Sequence, residues 1–296
     1  FTGFVAPGTK GDGIMMDAMM ADSLVQLDRA SLLALASVVI IGLPHGAFDG
    51  AIARHLGYGG GWRSLASFVG LYLGLAVAVV AFWIWEPGLA LGLFLLLSAV
   101  HFGYGDATGA TAVSRMVQIA AHGGVAVFGI SLFHLQQVTP LFAALTGGDV
   151  AVAVLMAELF PLVMIPVAGL YLICAIREAA LRQRLVELAL LCLLLSIVPP
   201  LVGFALYFCV IHTGRHMQHI WQHLRRRATP RHILGEAALF TVASWAGGVM
   251  IWLWLDSGNV SQDFLQVIFV GLAALTVPHM ILVDGLLRRS DAKEAM

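Results

Sequence analysis

The sequence predicts an all-α fold, a polytopic transmembrane bundle of about nine (seven to nine) spanning helices around an intramembrane metal site. Three observations carry that expectation. Of 296 residues, 60% are hydrophobic and only 11% are charged, with a mean hydropathy of +0.91, a balance that places the chain among integral membrane proteins. Arginine clusters alternate with arginine-free connections, as they do in a chain that crosses a bilayer repeatedly. Five histidines fall at one depth inside the apolar stretches, and intramembrane ionisable groups that gather in this way mark a site.

Residues 1–28 have no sustained apolar run and are expected to form an amino-terminal extension. Met15 or Met16 offers a start within it, and no basic segment precedes a short apolar stretch as in a cleavable signal. The bundle is expected over 29–290 as a single domain, with 291–296 as a tail. Its first stretch, 30–55, contains Pro44-His45 and ends at Arg54. The second, 63–85, runs from Arg63 to Glu86 without a charge, and the third, 88–105, opens after Pro87 and closes at Gly105-Asp106. A fourth covers 112–135. Residues 137–160 hold Pro140, Gly147, Gly148, Asp149 and Glu158 and read as an outer loop with an interfacial helix. The fifth, 161–181, ends among Arg177, Arg182 and Arg184. The sixth and seventh, 184–198 and 200–224, are kept apart at Pro199-Pro200, because one continuous helix would put two arginine clusters on opposite sides of the membrane. The eighth, 233–255, follows Arg231, and the ninth, 263–287, contains Pro278 and ends at Arg288-Arg289. This alternation implies an amino terminus outside and a carboxyl terminus in the cytoplasm of a bacterial-type inner membrane. Arg29 is the one misfit.

Composition excludes several functions. A net charge of −1 removes the basic footprint of a nucleic-acid binder. The only lysines are Lys10 and Lys293, both terminal, so no intramembrane Schiff base is available. Cys174, Cys192 and Cys209 all lie in apolar stretches and read as small core residues, not as a disulfide framework or thiolate site.

His45, His101, His212, His216 and His279 precede their arginine clusters by nine to fourteen residues. At about 1.5 Å per residue they lie ~14–20 Å from the cytoplasmic boundary, so four helices present imidazoles at one level, as a metal site in a bundle requires. HTGRH (212–216) has the i, i+4 spacing that lets two rings share an ion. His219 and His223 continue that stripe nearer the aqueous side. Together with His55, His122, His134 and His232 they read as interface or loop imidazoles. Asp49, Asp106 and Asp284 follow their histidines by four or five residues and are placed to accept the free N–H of a ligating ring, while Arg215 needs a carboxylate partner at this depth. Phe102, Tyr104, Tyr207, Phe208 and Trp245 are the aromatic residues near the site, available for packing or for an apolar substrate. All-imidazole ligation suits Fe(II), Zn, Cu or Ni. Burial in hydrocarbon favours a redox metal acting on an apolar substrate and O₂, both of which partition there. Four neutral imidazoles would leave an octahedral Fe(II) up to two open positions.

The blocks GLPHGAFD (42–49), HFGYGD (101–106), YFCVIHTGRH (207–216) and TVPHMILVD (276–284) resemble, in order and spacing, the bacteriorhodopsin-related (Brp/Blh) family of membrane β-carotene dioxygenases. The resemblance covers roughly residues 30–290. It implies an Fe(II) enzyme that splits the central double bond of β-carotene with O₂ to give two retinal molecules, with iron on His45, His101, His212 and His216. His279 then becomes an orienting or substrate-facing residue, and a retinal-binding rhodopsin a functional neighbour. It also implies a substrate that enters laterally from lipid into a tunnel at the iron level. Gly103 and Gly105 stand in the HFGYGD block where a more ordinary helix is expected, and nine crossings exceed the family's seven or eight. A di-iron hydroxylase or desaturase, or a non-enzymatic haem-binding or transport protein, are the other classes these histidines admit.

Overall fold

The computed structural model describes residues 26–58, 61–225, 229–255 and 258–287. The expected extension over 1–28, apart from its last three residues, and the expected tail over 291–296 lie outside them. The described residues are all-helical. The first rod comprises α1 (Arg29–Ser37), a π turn (Val38–Gly42), a 3₁₀ stretch (Leu43–Phe48) and α2 (Asp49–His55). There follow α3 (Trp62–Trp85), α4 (Pro87–Asp106), α5 (Ala112–Thr146), α6 (Ala151–Arg177) and α7 (Ala179–Ile197). A second composite rod joins α8 (Pro200–Ala205), a π segment (Leu206–His212) and α9 (Thr213–Leu224). Finally α10 (Pro230–Trp254) precedes α11 (Val260–Met280), which runs into a π segment (Ile281–Leu287).

These rods match the nine apolar stretches, and among the described residues seven are long and apolar enough to cross a membrane. The two others are α7 and the α8–α9 rod, which carry Arg182, Arg184 and Glu187, and Arg215 with four histidines, within their length. The chain is an integral membrane protein. Its helix starts follow ordinary capping rules: the Asp28 carboxylate accepts from Ser31 N–H at 2.7 Å, and Thr111 and Ser114 form a reciprocal capping box at the start of α5.

One expectation is overturned. Residues 137–160 are not an outer loop with an interfacial helix: α5 continues to Thr146 and α6 begins at Ala151. The turn between them is made by Gly147 and Gly148, at φ +65° and +102°, a left-handed backbone that glycine adopts without a Cβ clash. At ~1.5 Å per residue α5 would be about 52 Å long, well beyond a ~30 Å hydrocarbon layer. It bends instead at His134 (φ −133°, ψ 33°), whose ring bonds the Leu195 carbonyl at 2.9 Å. Pro140 is accommodated inside the helix beyond that bend, as prolines are when neighbouring helices cover the freed backbone.

Gly103 also receives its reason. A Cβ there would collide with the Ile119 backbone, and one at Gly123 with the Ala99 carbonyl. The α4 and α5 backbones therefore touch, the close approach that small residues permit between membrane helices. Gly123→Val is expected to push the pair apart at a cost of ~1–3 kcal/mol, read as a lowered thermal unfolding midpoint in detergent, with Gly169→Val, where a Cβ meets open space, as the neutral comparison.

Candidate metal centre

The helices that carry the five histidines depart from regular α geometry where three of those rings project. His45 sits in the 3₁₀ stretch behind the Val38–Gly42 π turn, His212 closes the Leu206–His212 π segment, and His279 immediately precedes the π segment Ile281–Leu287. Such insertions rotate the side chains that follow them and recur at functional sites. Pro44 and Pro278, which cannot donate to the helix, account for two. Nothing in LYFCVIH signals the third. A Cβ on Gly42 would strike Phe208, so this glycine lets the Phe208 ring lie against the backbone and against His45, with ring centroids 5.2 Å apart.

All five imidazoles are buried and converge. His45, His212, His101 and His279 follow one another in a four-membered ring of centroids separated by 5.5, 5.0, 5.2 and 5.2 Å. His216 caps that ring, 5.5, 5.6, 6.0 and 5.1 Å from the same four centroids in that order. The HTGRH spacing stacks His212 on His216 at an interplanar angle of 14°. The tightest donor set is His45, His101 and His212, whose ring nitrogens lie within 4.8 Å of one another.

Hydrogen bonds on the outer side of the cluster aim these rings. His45 Nδ1–H donates to the Gly42 carbonyl. His101 Nδ1 pairs with Asp284 at 2.7 Å, and His279 Nδ1 with Asp49 at 2.8 Å. An acceptor on Nδ1 fixes the proton there and leaves the Nε2 lone pair facing inward, the arrangement carboxylates impose on metal-ligating histidines. The Nε2 atoms of His212, His216 and His279 are buried with no hydrogen-bond partner among the described residues, an expensive state for a polar atom unless something at the centre takes the lone pair. Donors of this kind and number fit a metal ion, with imidazole chemistry suited to iron.

The other polar residues named from the sequence divide. Asp106 holds no cluster imidazole; it pairs with Arg215 and lies 3.6 Å from His122 Nδ1. Arg215 also reaches Glu187 at 2.7 Å, so this network ties the end of α4, which bears His101, to the helix of His212 and His216. Two residues escaped sequence reading. Tyr72 donates to Asp49 at 2.8 Å, on the carboxylate oxygen opposite His279, and no spacing or motif marks it. Glu187 sits one turn beyond Arg184 and also pairs with it at 2.7 Å, and its place beside an arginine cluster hid it as an ordinary boundary charge. Of the residues assigned to packing or interfaces, His122 is buried against Tyr171 at 3.0 Å, and His232 lies beside Glu236 at 3.9 Å.

An apolar cavity meets the cluster at His45, His101 and His279. Its walls include Phe102 and Phe208, and it reaches Leu272, Leu265 and Pro200. Leu265 precedes His279 by fourteen residues on α11, which at ~1.5 Å per residue makes the cavity roughly 20 Å deep. Its lining residues follow α11 from Leu265 to His279 and also come from α4, α5 and the α8 rod. Tyr207 packs behind Phe102, its ring 5.2 Å away, and is fully buried. Tyr104 and Trp245 are outside this wall and exposed at 40% and 37%, with the Trp245 indole donating to the Val39 carbonyl. At those positions α4 and α10 turn their aromatic side chains outward.

A family model described as beta-carotene 15,15′-dioxygenase matches residues 36–287. The chain is 37% identical over 267 residues to the beta-carotene 15,15′-dioxygenase of the uncultured marine bacterium 66A03, covering 88% of this chain and 95% of that protein. It is 30% identical over 284 residues to a probable beta-carotene 15,15′-dioxygenase, Blh, of Halobacterium salinarum, covering 84% and 82% of the two chains. No solved structure matches. Since the matched stretch includes all five cluster histidines and both carboxylates that hold them, the chain belongs to the β-carotene 15,15′-dioxygenase family of enzymes.

Proposed function

We propose that this chain cleaves the central double bond of β-carotene with O₂, giving two molecules of all-trans-retinal, at an Fe(II) ion held by His45, His101, His212 and His216. The observation that supports the reading most is the convergence of buried imidazoles at the head of an apolar cavity. One C=C bond is broken and each of its carbons takes one oxygen atom of O₂, so no external reductant is required. Fe(II), when bound, supplies the O₂ binding and activation this reaction needs.

The protein's own residues do the rest. Asp284 keeps the His101 Nδ1 proton in place, and the Gly42 carbonyl does the same for His45, so that both rings present Nε2 to the centre. Asp49 orients His279. The Asp106–Arg215–Glu187 network holds the HTGRH helix in register without placing charge in the cavity. Phe102 and Phe208 flank the cluster and give the polyene an apolar approach. Recognition of a hydrocarbon then rests on shape and length, and selectivity on which bond the cavity presents to the centre. The bilayer, in which carotene and O₂ both dissolve, would deliver the substrates to a protein with its amino terminus outside and its carboxyl terminus cytoplasmic. A retinal-binding rhodopsin is the kind of protein that would take the product.

Expression in cells that accumulate β-carotene tests this directly. Loss of colour with retinal as the sole new pigment is the expected outcome. Intact β-carotene in cells containing folded, iron-loaded protein would overturn it.

A further inference from the structure

We propose that His279 is a fifth imidazole ligand of the metal ion, so that the site holds its ion by five histidines and leaves one position toward the cavity. The proposal rests on the reading that the cluster binds iron through the other four. His279 lies outside the closest donor set of His45, His101 and His212, yet it shares with His101 its place in the cluster and its mode of support. Each ring occupies a corner of the same four-membered ring, with His101 and His279 themselves 5.2 Å apart. Each has its Nδ1 fixed by an aspartate of another helix, at 2.7 Å from Asp284 and 2.8 Å from Asp49. The cap, His216, is nearer to His279, at 5.1 Å, than to any other member.

A histidine that served only to orient a neighbour would spend its inner nitrogen on that neighbour. His279 Nε2 has no such partner and is buried. Its support is also more elaborate than a packing residue needs, because Tyr72 donates to the far oxygen of Asp49 and, at 3.3 Å, to the Leu275 carbonyl one turn before His279. Tyr72, Asp49 and His279 thus form a chain from α3 through α2 to α11, built to hold one imidazole at one angle. Five imidazoles on an octahedral ion leave a single vacancy. The cavity adjoins His45, His101 and His279, so that vacancy would face the substrate.

The test is X-ray absorption at the iron edge on purified, iron-loaded protein in detergent, where imidazole scattering reports the number of bound histidines. Five in the unaltered protein, four in His279→Ala, and five again in Asp49→Asn with iron affinity weakened ~10–100-fold is the expected pattern. Iron retained in His279→Ala with the unaltered protein's imidazole count overturns the proposal and leaves the four-histidine reading intact. Absence of iron from the unaltered protein would overturn that reading instead. Should His279→Ala lose iron altogether, His279→Gly with imidazole added carries the same question. Restored iron and a count of five support the fifth ligand, and iron that does not return overturns it.

Discussion

Alanine at His101 or His212 is expected to abolish retinal formation and to strip iron from the purified protein. Both rings belong to the tightest donor set, within 4.8 Å of each other and of His45. The loss should exceed the ~10–100-fold in metal affinity that removal of an outer hydrogen-bond partner costs, and Asp284→Asn supplies that lesser effect for comparison, because it leaves His101 in place with its Nδ1 partner weakened. His45→Ala and His216→Ala should behave as His101→Ala does. His232→Ala, at a side chain 60% exposed beside Glu236, should alter neither iron nor product. Iron content by mass spectrometry and pigments by chromatography decide the matter. Full iron and full activity in His212→Ala would remove HTGRH from the site.

The legibility of these residues in the sequence has a physical cause. Charge and imidazole are so costly in hydrocarbon that their mere position in the sequence is informative, and the helical rise converts position into depth. His45, His101, His212, His216 and His279 were therefore legible as one level, and Asp49 and Asp284 as their partners. What depth cannot give is azimuth. Asp106 lies five residues past His101, about 140° round the helix, and so meets Arg215 and His122 and no cluster ring. Tyr104 and Trp245 share the depth of the site but not its face. The π segment Leu206–His212 was invisible because it contains neither proline nor glycine, although it places His212 at the centre. Continuity across 137–160 was missed for the opposite reason: glycine and proline looked like a loop, yet two glycines suffice for the turn, and a proline is tolerated where other helices cover the backbone. The convergence of five rings likewise appears only in three dimensions, since nothing in TVPHMILVD distinguishes a ligand from an orienting residue.

Tryptophan at Leu272 should block β-carotene cleavage without removing iron. Leu272 lines the cavity seven residues before His279, roughly 10 Å from the cluster at ~1.5 Å per residue. A C40 polyene about as long as the ~30 Å hydrocarbon layer puts its central bond ~15 Å from either end, so one half of the molecule fits a cavity roughly 20 Å deep and does not fit one cut to half that depth. Overpacking costs ~1–3 kcal/mol in a tight core, less where a void receives the indole, and unchanged iron content shows that the centre survives. Leu201→Trp acts farther out, in the part of the wall formed with Pro200. It should let the polyene enter but stop it short, presenting an off-centre bond and replacing retinal by two aldehydes of unequal length. If both variants make retinal alone at the unaltered rate, the substrate does not lie in this cavity. If Leu201→Trp yields unequal aldehydes, cavity depth is what selects the 15,15′ bond.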